Sequence, residues 1–369
     1  MVTRRQFILS ATSIPAELLA LQACSSDTAS NMSYEEAARR TWRHTEGGLG
    51  DSPSILRELV RYATLAASSH NTQCWKFRAE ERAISILPDL SRRCPAVDPD
   101  DHHLFVSLGC AIENLIQAAL ANGLKAEARF DATADGALRV ALEPTKAVAS
   151  PLFEAIPRRQ CTRAEFDGKP LSNGELKLLE QAGTAKGVRV LLLTDRAAME
   201  KVLEYVVQGN TAQMNDPAFV EELKAWIRFS DNEAVRTGDG LFARSSGNPS
   251  VPRWLGSPLF DLFFTAKSEN DRYAMHVRSS AGIAVLASEA DDKAHWVEAG
   301  RCYERFALQA AALGIRNAFL NQPVEVAALR SRFANILGIG GHRPDLVVRF
   351  GRGPEMPRSL RRPVQAVLA

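Results

Sequence analysis

Two helical stretches of this chain follow nearly the same outline, and a duplicated core helix leaves few folds open. Residues 105–124, FVSLGCAIENLIQAALANGL, and 298–315, EAGRCYERFALQAAALGI, align when one is displaced by 191 positions. Gly109 then falls on Gly300, Glu113 on Glu304, Ala119 on Ala310, Ala121 on Ala312 and Gly123 on Gly314. Leu108, Ile112, Leu115, Ile116 and Ala119 recur at helical spacing, and Gly123 is the residue type that closes such a helix. Both stretches are mostly apolar all round, as buried central helices are. Each follows a short strand-like run, Ala83–Leu87 in one half and Gly282–Leu286 in the other. Two related halves packed on each other, a dimer fused into one polypeptide, account for this pattern.

The 369 residues, 46% of them hydrophobic, can bury a large core. A net charge of +2 with acidic and basic residues well mixed argues against a nucleic acid or other polyanion as partner. No apolar run approaches the roughly 20 residues that a membrane span needs. Residues 1–24 read as an address: Thr3-Arg4-Arg5-Gln6-Phe7 resembles a twin-arginine export signal, and Leu21-Gln22-Ala23-Cys24 a lipobox. Export, with a membrane tether through a lipid-modified Cys24, is the expectation; a cytoplasmic location with an ordinary N-terminal helix is the alternative. The polar segment within 25–50 reads as a tether and N-terminal segment. The remaining cysteines, Cys74, Cys94, Cys110, Cys161 and Cys302, show no metal-type spacing and no disulfide framework.

The second half is the longer one. Residues 205–265 contain a helix expected to begin near Asp216-Pro217, then a Gly/Ser/Pro-rich stretch, GDGLFARSSGNPSVPRWLGSP, that reads as a long loop. Long loops of this kind often cover binding sites, so 205–265 is expected to form a lid. Asp98-Pro99-Asp100-Asp101-His102-His103 suggests a metal site, but adjacent side chains diverge and aspartates before a helix serve as caps. Gly338–Gly341 precedes a strand-like run instead of following one, the wrong order for a dinucleotide fingerprint.

LAASSHNTQCWKF, residues 65–77, crowds short hydrogen-bonding side chains against a tryptophan. Two arginine clusters lie elsewhere, Arg158, Arg159 and Arg163 at the start of the second half and Arg358, Arg361 and Arg362 near the end. The planar guanidinium fork grips phosphate and stays charged. A ligand with a phosphate at one end and a flat, hydrogen-bonding ring at the other would use both elements, and flavin mononucleotide (FMN) is such a ligand.

The stretch Ala67–Phe77 resembles the P-S-x-x-N-x-Q-P-W turn of the FMN-dependent nitroreductase superfamily. The chain as a whole resembles its Acg-like branch, in which two nitroreductase repeats share one polypeptide. Leu87-Pro88-Asp89, Asp98-Pro99-Asp100, Ser107–Leu115, the Arg-Arg-x-x-x-Arg start of the second half, Ala299-Gly300 and Arg361-Arg362-Pro363 follow in the order of that branch. The resemblance implies an α+β, nitroreductase-like fold in which two repeats, 51–155 and 156–369, form a single-chain pseudo-dimer around buried central helices. Such a chain can act as a monomer.

It also implies one FMN between the repeats. Ser68, Ser69, Asn71 and Gln73 would face the ring and ribityl chain, with Arg159, Arg163 and Arg361 toward the phosphate or the O2 edge. Glu325 lies in a Pro-x-Glu segment beside flavin N5, with Val326 where glycine is usual. Cys74 and Cys161 also depart from the family pattern, replacing a proline and a hydroxyl residue. Arg163 is the first choice to stabilise charge at the N1–C2=O edge and Arg361 the second. The expected activity is ping-pong transfer from a reduced nicotinamide or other small-molecule donor to nitro, quinone or similar acceptors, with no nucleophile or metal. The alternative is a protein that stores FMN under the lid without turnover.

Overall fold

The computed structural model describes residues 32–45, 52–132 and 136–369. The twin-arginine stretch, Cys24 and most of the tether lie outside the described residues. In the first half, α1 (Tyr34–Thr41) and α2 (Ser52–Thr64) precede strands β1 (Trp75–Glu80) and β2 (Ala83–Pro88), helix α3 (His102–Ala121), and strands β3 (Leu124–Asp131) and β4 (Ala137–Pro144). A short α4 (Pro151–Ala155) leads into the second half, which opens with α5 (Asn173–Gly183) and β5 (Val188–Leu193). An insertion follows: α6 (Arg196–Met214), α7 (Pro217–Trp226), β6 (Ile227–Arg228), α8 (Asp231–Thr237), β7 (Leu241–Phe242), α9 (Arg253–Phe263) and α10 (Ala266–Arg278). The half closes with β8 (Gly282–Ser288), α11 (Lys293–Ala312), β9 (Arg316–Phe319), α12 (Gln322–Glu325), α13 (Ala327–Ile336) and β10 (Arg343–Gly351).

The two main sheets share one plan. Their strand orders are β1-β2-β4-β3 and β5-β8-β10-β9, and every neighbouring pair is antiparallel. In both, the first strand of the half pairs with its second, the second with its fourth, and the fourth with its third. β3 alternates exposed and half-buried residues, as a strand with one wet face does. β8 and β10 are buried along their whole length and read as continuous apolar runs broken only by paired polar groups.

The central helices α3 and α11 lie against each other with almost no side chain between them. A Cβ on Gly109 would stand 2.0 Å from the Val297 carbonyl oxygen, and one on Gly300 would stand 2.0 Å from that of Val106. Val106 and Val297 are themselves related by the 191-residue displacement, so the contact is reciprocal, as across a two-fold axis. α3 corrects one sequence expectation. By length and composition it could cross a membrane, yet most of it is buried inside the protein, because α11 and the first sheet cover it. Polar residues within 102–122 had masked the run.

The second half also lends chain to the first half's sheet, and its own opening segment runs beside β9. The C-terminal tail returns to β1, where Phe77 N donates to Val367 O at 2.8 Å and Ala369 N to Phe77 O at 2.8 Å. Beside β9, Thr162 N donates to Asn317 O at 2.8 Å. The stretch expected as one long loop is more ordered than that: after α8 it carries β7, a single 3-10 turn over Ala243–Ser246, and the start of α9. Gly238, Gly240 and Gly247, all at positive φ, close its turns tightly.

Gly300→Ala is expected to destabilise the protein by about 3 kcal/mol or more, since backbone rather than a mobile side chain blocks the new methyl. Gly340→Ala, with open space around it, is expected to stay within about 0.5 kcal/mol of the parent. Urea unfolding of the two variants checks this; equal midpoints would mean the helices do not meet at Gly300.

Candidate functional site

The turn between α2 and β1 is held in an unusual backbone shape. His70, Asn71 and Gln73 have φ of 46°, 53° and 53°, a region that residues with a Cβ enter at a cost of about 1–3 kcal/mol each. Its neighbours over-determine it. Arg361 of the tail donates to Thr64 O (2.7 Å), Leu65 O (3.2 Å), Ala66 O (2.9 Å) and Asn71 Oδ1 (2.8 Å). Arg159 donates to Leu65 O at 2.8 Å and pairs with Glu304 at 2.9 Å, while Ala67 N reaches the other Glu304 oxygen at 3.4 Å. Within the turn, Gln73 N donates to Ser68 Oγ and Ser69 N to Ser107 Oγ.

Beside this turn lies a cavity of about 320 Å³. Seven of the eight residues singled out in the sequence line it: Ser68, Ser69, Asn71, Arg159, Arg163, Glu325 and Arg361. Gln73 does not. Its side chain is buried, donating to Gly238 O at 2.8 Å and accepting from Arg362 N at 2.9 Å, so it fastens the turn to the insertion and the tail. The Asn71 amide is likewise engaged, donating to Gly240 O and Leu360 O at 3.0 and 3.1 Å.

The arginines divide by what they hold. Arg159 and Arg361 direct their donors at carbonyls of the first half; Arg159 is also paired with Glu304, whereas Arg361 has no carboxylate in an ion pair among the described residues. With Arg358 they gather around Trp42, their guanidinium carbons 4.7–6.0 Å from its ring centroid. Burial, and then the neighbouring Arg159, push Arg361 down to about 9. Arg358 is pushed down to about 10, by burial first. Arg163 differs: half-buried at the cavity wall, it has no hydrogen bond or ion pair among the described residues. Its charge is felt by His70, Tyr273 and His276. His276 is held down at about 3 by burial and then by Arg349, Arg272 and Arg163. This wall favours an anion or a developing negative charge.

Sequence reading missed several lining residues. Gln322 donates to Tyr273 Oη at 2.5 Å, leaving its buried Oε1 without a hydrogen bond among the described residues. His103 lies 3.4 Å from Glu325 and Gln213 donates to Glu325 at 2.7 Å. No local pattern marks these positions, because α3, α6 and α12 meet only in three dimensions. Phe219, Leu223, Phe260 and Phe264 of the insertion supply an apolar side to the cavity. Asp98 proves to be a cap, accepting from His103 N and Leu104 N at 3.0 Å each.

Paired sheets of one plan, with a shared cavity at the seam that offers hydroxyls and guanidinium groups, define a two-repeat α+β protein. No family model matches the chain. It is 26% identical over 309 residues to a Mycobacterium tuberculosis protein that bears the name NAD(P)H nitroreductase Rv3131, covering 81% of this chain and 85% of that one. It is 23% identical over 329 residues to the NAD(P)H nitroreductase named acg of the same organism, covering 85% and 95%. The resemblance to nitroreductases read from the sequence is thus borne out over most of the chain. Solved structures that it resembles include the FMN-dependent nitroreductase NfnB from Mycobacterium smegmatis in complex with NADPH, at 14% identity and a TM-score of 0.36, covering 55% of this chain and 89% of that one. Another is a nitroreductase with bound FMN from Desulfitobacterium hafniense, at 13% identity and a TM-score of 0.37, covering 57% and 94%.

The His103–Glu325 pair gives the site a pH signature. Burial alone would lower the His103 pKa, but the hydrogen bond and charge of Glu325, with Asp98, raise it above its ordinary 6.5. For Glu325, burial acts to raise the pKa, and His103 and Gln213 more than offset it, so it lies below 4.5. The stabilisation from His103 is therefore complete below pH 6.5 and is lost as pH rises through its raised folded value. That from Glu325 is complete above pH 4.5 and is lost as pH falls through its lowered one. Glu325→Gln is expected to drop the His103 pKa, read by NMR titration of the imidazole; an unmoved value would show that the two groups are not in contact.

Proposed function

We propose that this protein is an FMN-dependent oxidoreductase of the nitroreductase type, passing reducing equivalents from a reduced nicotinamide or similar donor to nitro, quinone or related acceptors. The observation that carries the reading is Arg163, an unpaired guanidinium facing a cavity whose other wall is the hydroxyl-bearing turn of the opposite half. The names of the relatives point the same way. Bound flavin would supply the hydride and electron chemistry.

The residues present fit such a group. The Ser68 and Ser69 hydroxyls and the orphaned Gln322 Oε1 offer hydrogen bonds to a polar ring edge. Arg163 would stabilise negative charge on a reduced flavin ring, in a cavity that apolar insertion residues also line. The Arg159, Arg358 and Arg361 group, three guanidinium groups opposed by Glu304 and Glu355, suits the phosphate. The insertion, including 205–265, acts as the lid. Residues 1–24 direct export by the twin-arginine route, with Cys24 as the membrane tether; a folded flavoprotein is a cargo that route accepts.

The purified protein is expected to be yellow and to retain FMN. Arg163→Ala is expected to weaken FMN binding by about 2–4 kcal/mol, measured by fluorescence of released flavin. Reduction by NADH, NADPH or dithionite should bleach the colour, and a quinone or nitro compound should restore it. Colour that returns only with oxygen, never faster with an acceptor, would favour flavin storage over turnover.

A further inference from the structure

Cys94, on the link between β2 and α3, is buried, and its Sγ lies 3.7 Å from His70 Nδ1 on the strained turn. The carboxylate of Glu222, from α7 of the insertion, completes a trio whose ligand atoms all lie within 4.8 Å of one another. A tetrahedral ion with thiolate sulfur at about 2.3 Å and imidazole nitrogen at about 2.0 Å sets those two donors about 3.5 Å apart, close to the observed spacing. We propose that His70, Cys94 and Glu222 bind a divalent transition-metal ion of the zinc class, which ties helix α7 of the insertion to the turn of the first half.

The donor set is the kind such an ion takes: a thiolate, an imidazole and a carboxylate. Two negative donors and one neutral donor cancel a divalent charge, which suits a buried place. Among the described residues, the groups acting most strongly on Cys94 and Glu222 include no cation; Arg163 acts on His70 alone of the three. Burial raises the Cys94 thiol, and the charged groups acting on it, Glu222, Cys74, Asp98 and Glu325, are all of the sign that raises it further. Burial also raises Glu222, against the N–H groups of Ala96 and Val97. His70 is held near 4, chiefly by burial, and is therefore neutral at physiological pH, the form that ligates.

Orientation is also fixed. Glu222 accepts Ala96 N at 2.9 Å on one carboxylate oxygen and Val97 N at 3.1 Å on the other. Each oxygen keeps a lone pair for a metal, and outer hydrogen bonds of this kind hold ligands in place in metal sites. Asp98 is not a fourth ligand, since its oxygens accept from His103 N and Leu104 N; water takes that position. The backbone shape of His70, costly for a histidine, brings its ring to Cys94. The three donors come from three separate segments of the sequence, so no short motif announces them.

His70 also lines the cavity, but the metal is tested without activity and without flavin. The full chain, stripped with a chelator and then dialysed after exposure to Zn²⁺ alone, is expected to keep about one zinc per chain by elemental analysis. Co²⁺ in its place should give the intense visible d–d bands of a tetrahedral thiolate site, at longer wavelength than flavin absorption. Cys94→Ala and Glu222→Gln should each weaken zinc binding by about a hundredfold or more, and Cys302→Ala should change nothing. No retained zinc, no tetrahedral cobalt spectrum, or a spectrum that survives Cys94→Ala overturns the proposal. The wild-type cobalt spectrum decides even if a variant fails to fold.

Discussion

The backbones of α3 and α11 touch at Gly109 and Gly300, and the rest of the structure is arranged around that contact. Each glycine accepts the carbonyl of a valine three residues before its counterpart, so the two helices cross at one point in a near-symmetric way. Close approach brings the next turn of each helix within reach of the opposite half. Glu304, four residues past Gly300, meets the Ala67 amide and Arg159. Glu113, four residues past Gly109, meets Arg301 and Arg305. The same side chain, at the same place in the repeat, serves in one case to position the ligand-facing turn and in the other to tie helix to helix.

Charge management follows from that crossing. Arg159 and Arg361 reach across the seam to the carbonyls at the end of α2, and a turn with three residues at positive φ is stable only because such donors hold it. Holding the turn with guanidinium groups rather than amides has a second effect. It leaves buried positive charge around Trp42 that Glu304 only partly balances, and a bound anion lowers the electrostatic cost. The scaffold of the turn and the electrostatics of the cavity are thus one feature.

The fold was legible in the sequence because a backbone crossing can be built only with glycine, and both copies kept it at the same displacement. The turn at 67–77 stood out for a similar reason: short polar side chains crowd beside a buried tryptophan. Gln73 shows the limit. Residue type marked it as polar and local, but only its distance from Gly238 and Arg362 reveals that it holds chain segments together instead of facing the cavity. The pairings of Gln322 with Tyr273 and His103 with Glu325 were invisible because the partners are remote in sequence. The Gly-rich stretch after α8 misled because glycine was read as freedom, whereas Gly238 is pressed against the Arg361 carbonyl, where a Cβ would stand 2.8 Å away.

Duplication accounts for the asymmetry between the two halves. Where the first half carries Ser68–Gln73, the second has the short link from Gly183 to Gly187 between α5 and β5, with Thr184 as its lone side-chain hydroxyl and no amide side chain. Where the second half carries α6–α10 between its first two strands, the first has a tight β1–β2 hairpin. Each half has therefore lost what the other retains, and the losses are complementary: turn from one, cover and arginines from the other. In a symmetric dimer both copies must keep every element, because each sequence serves both sites. Fusion removes that constraint, so one half can carry the insertion while the other keeps the turn.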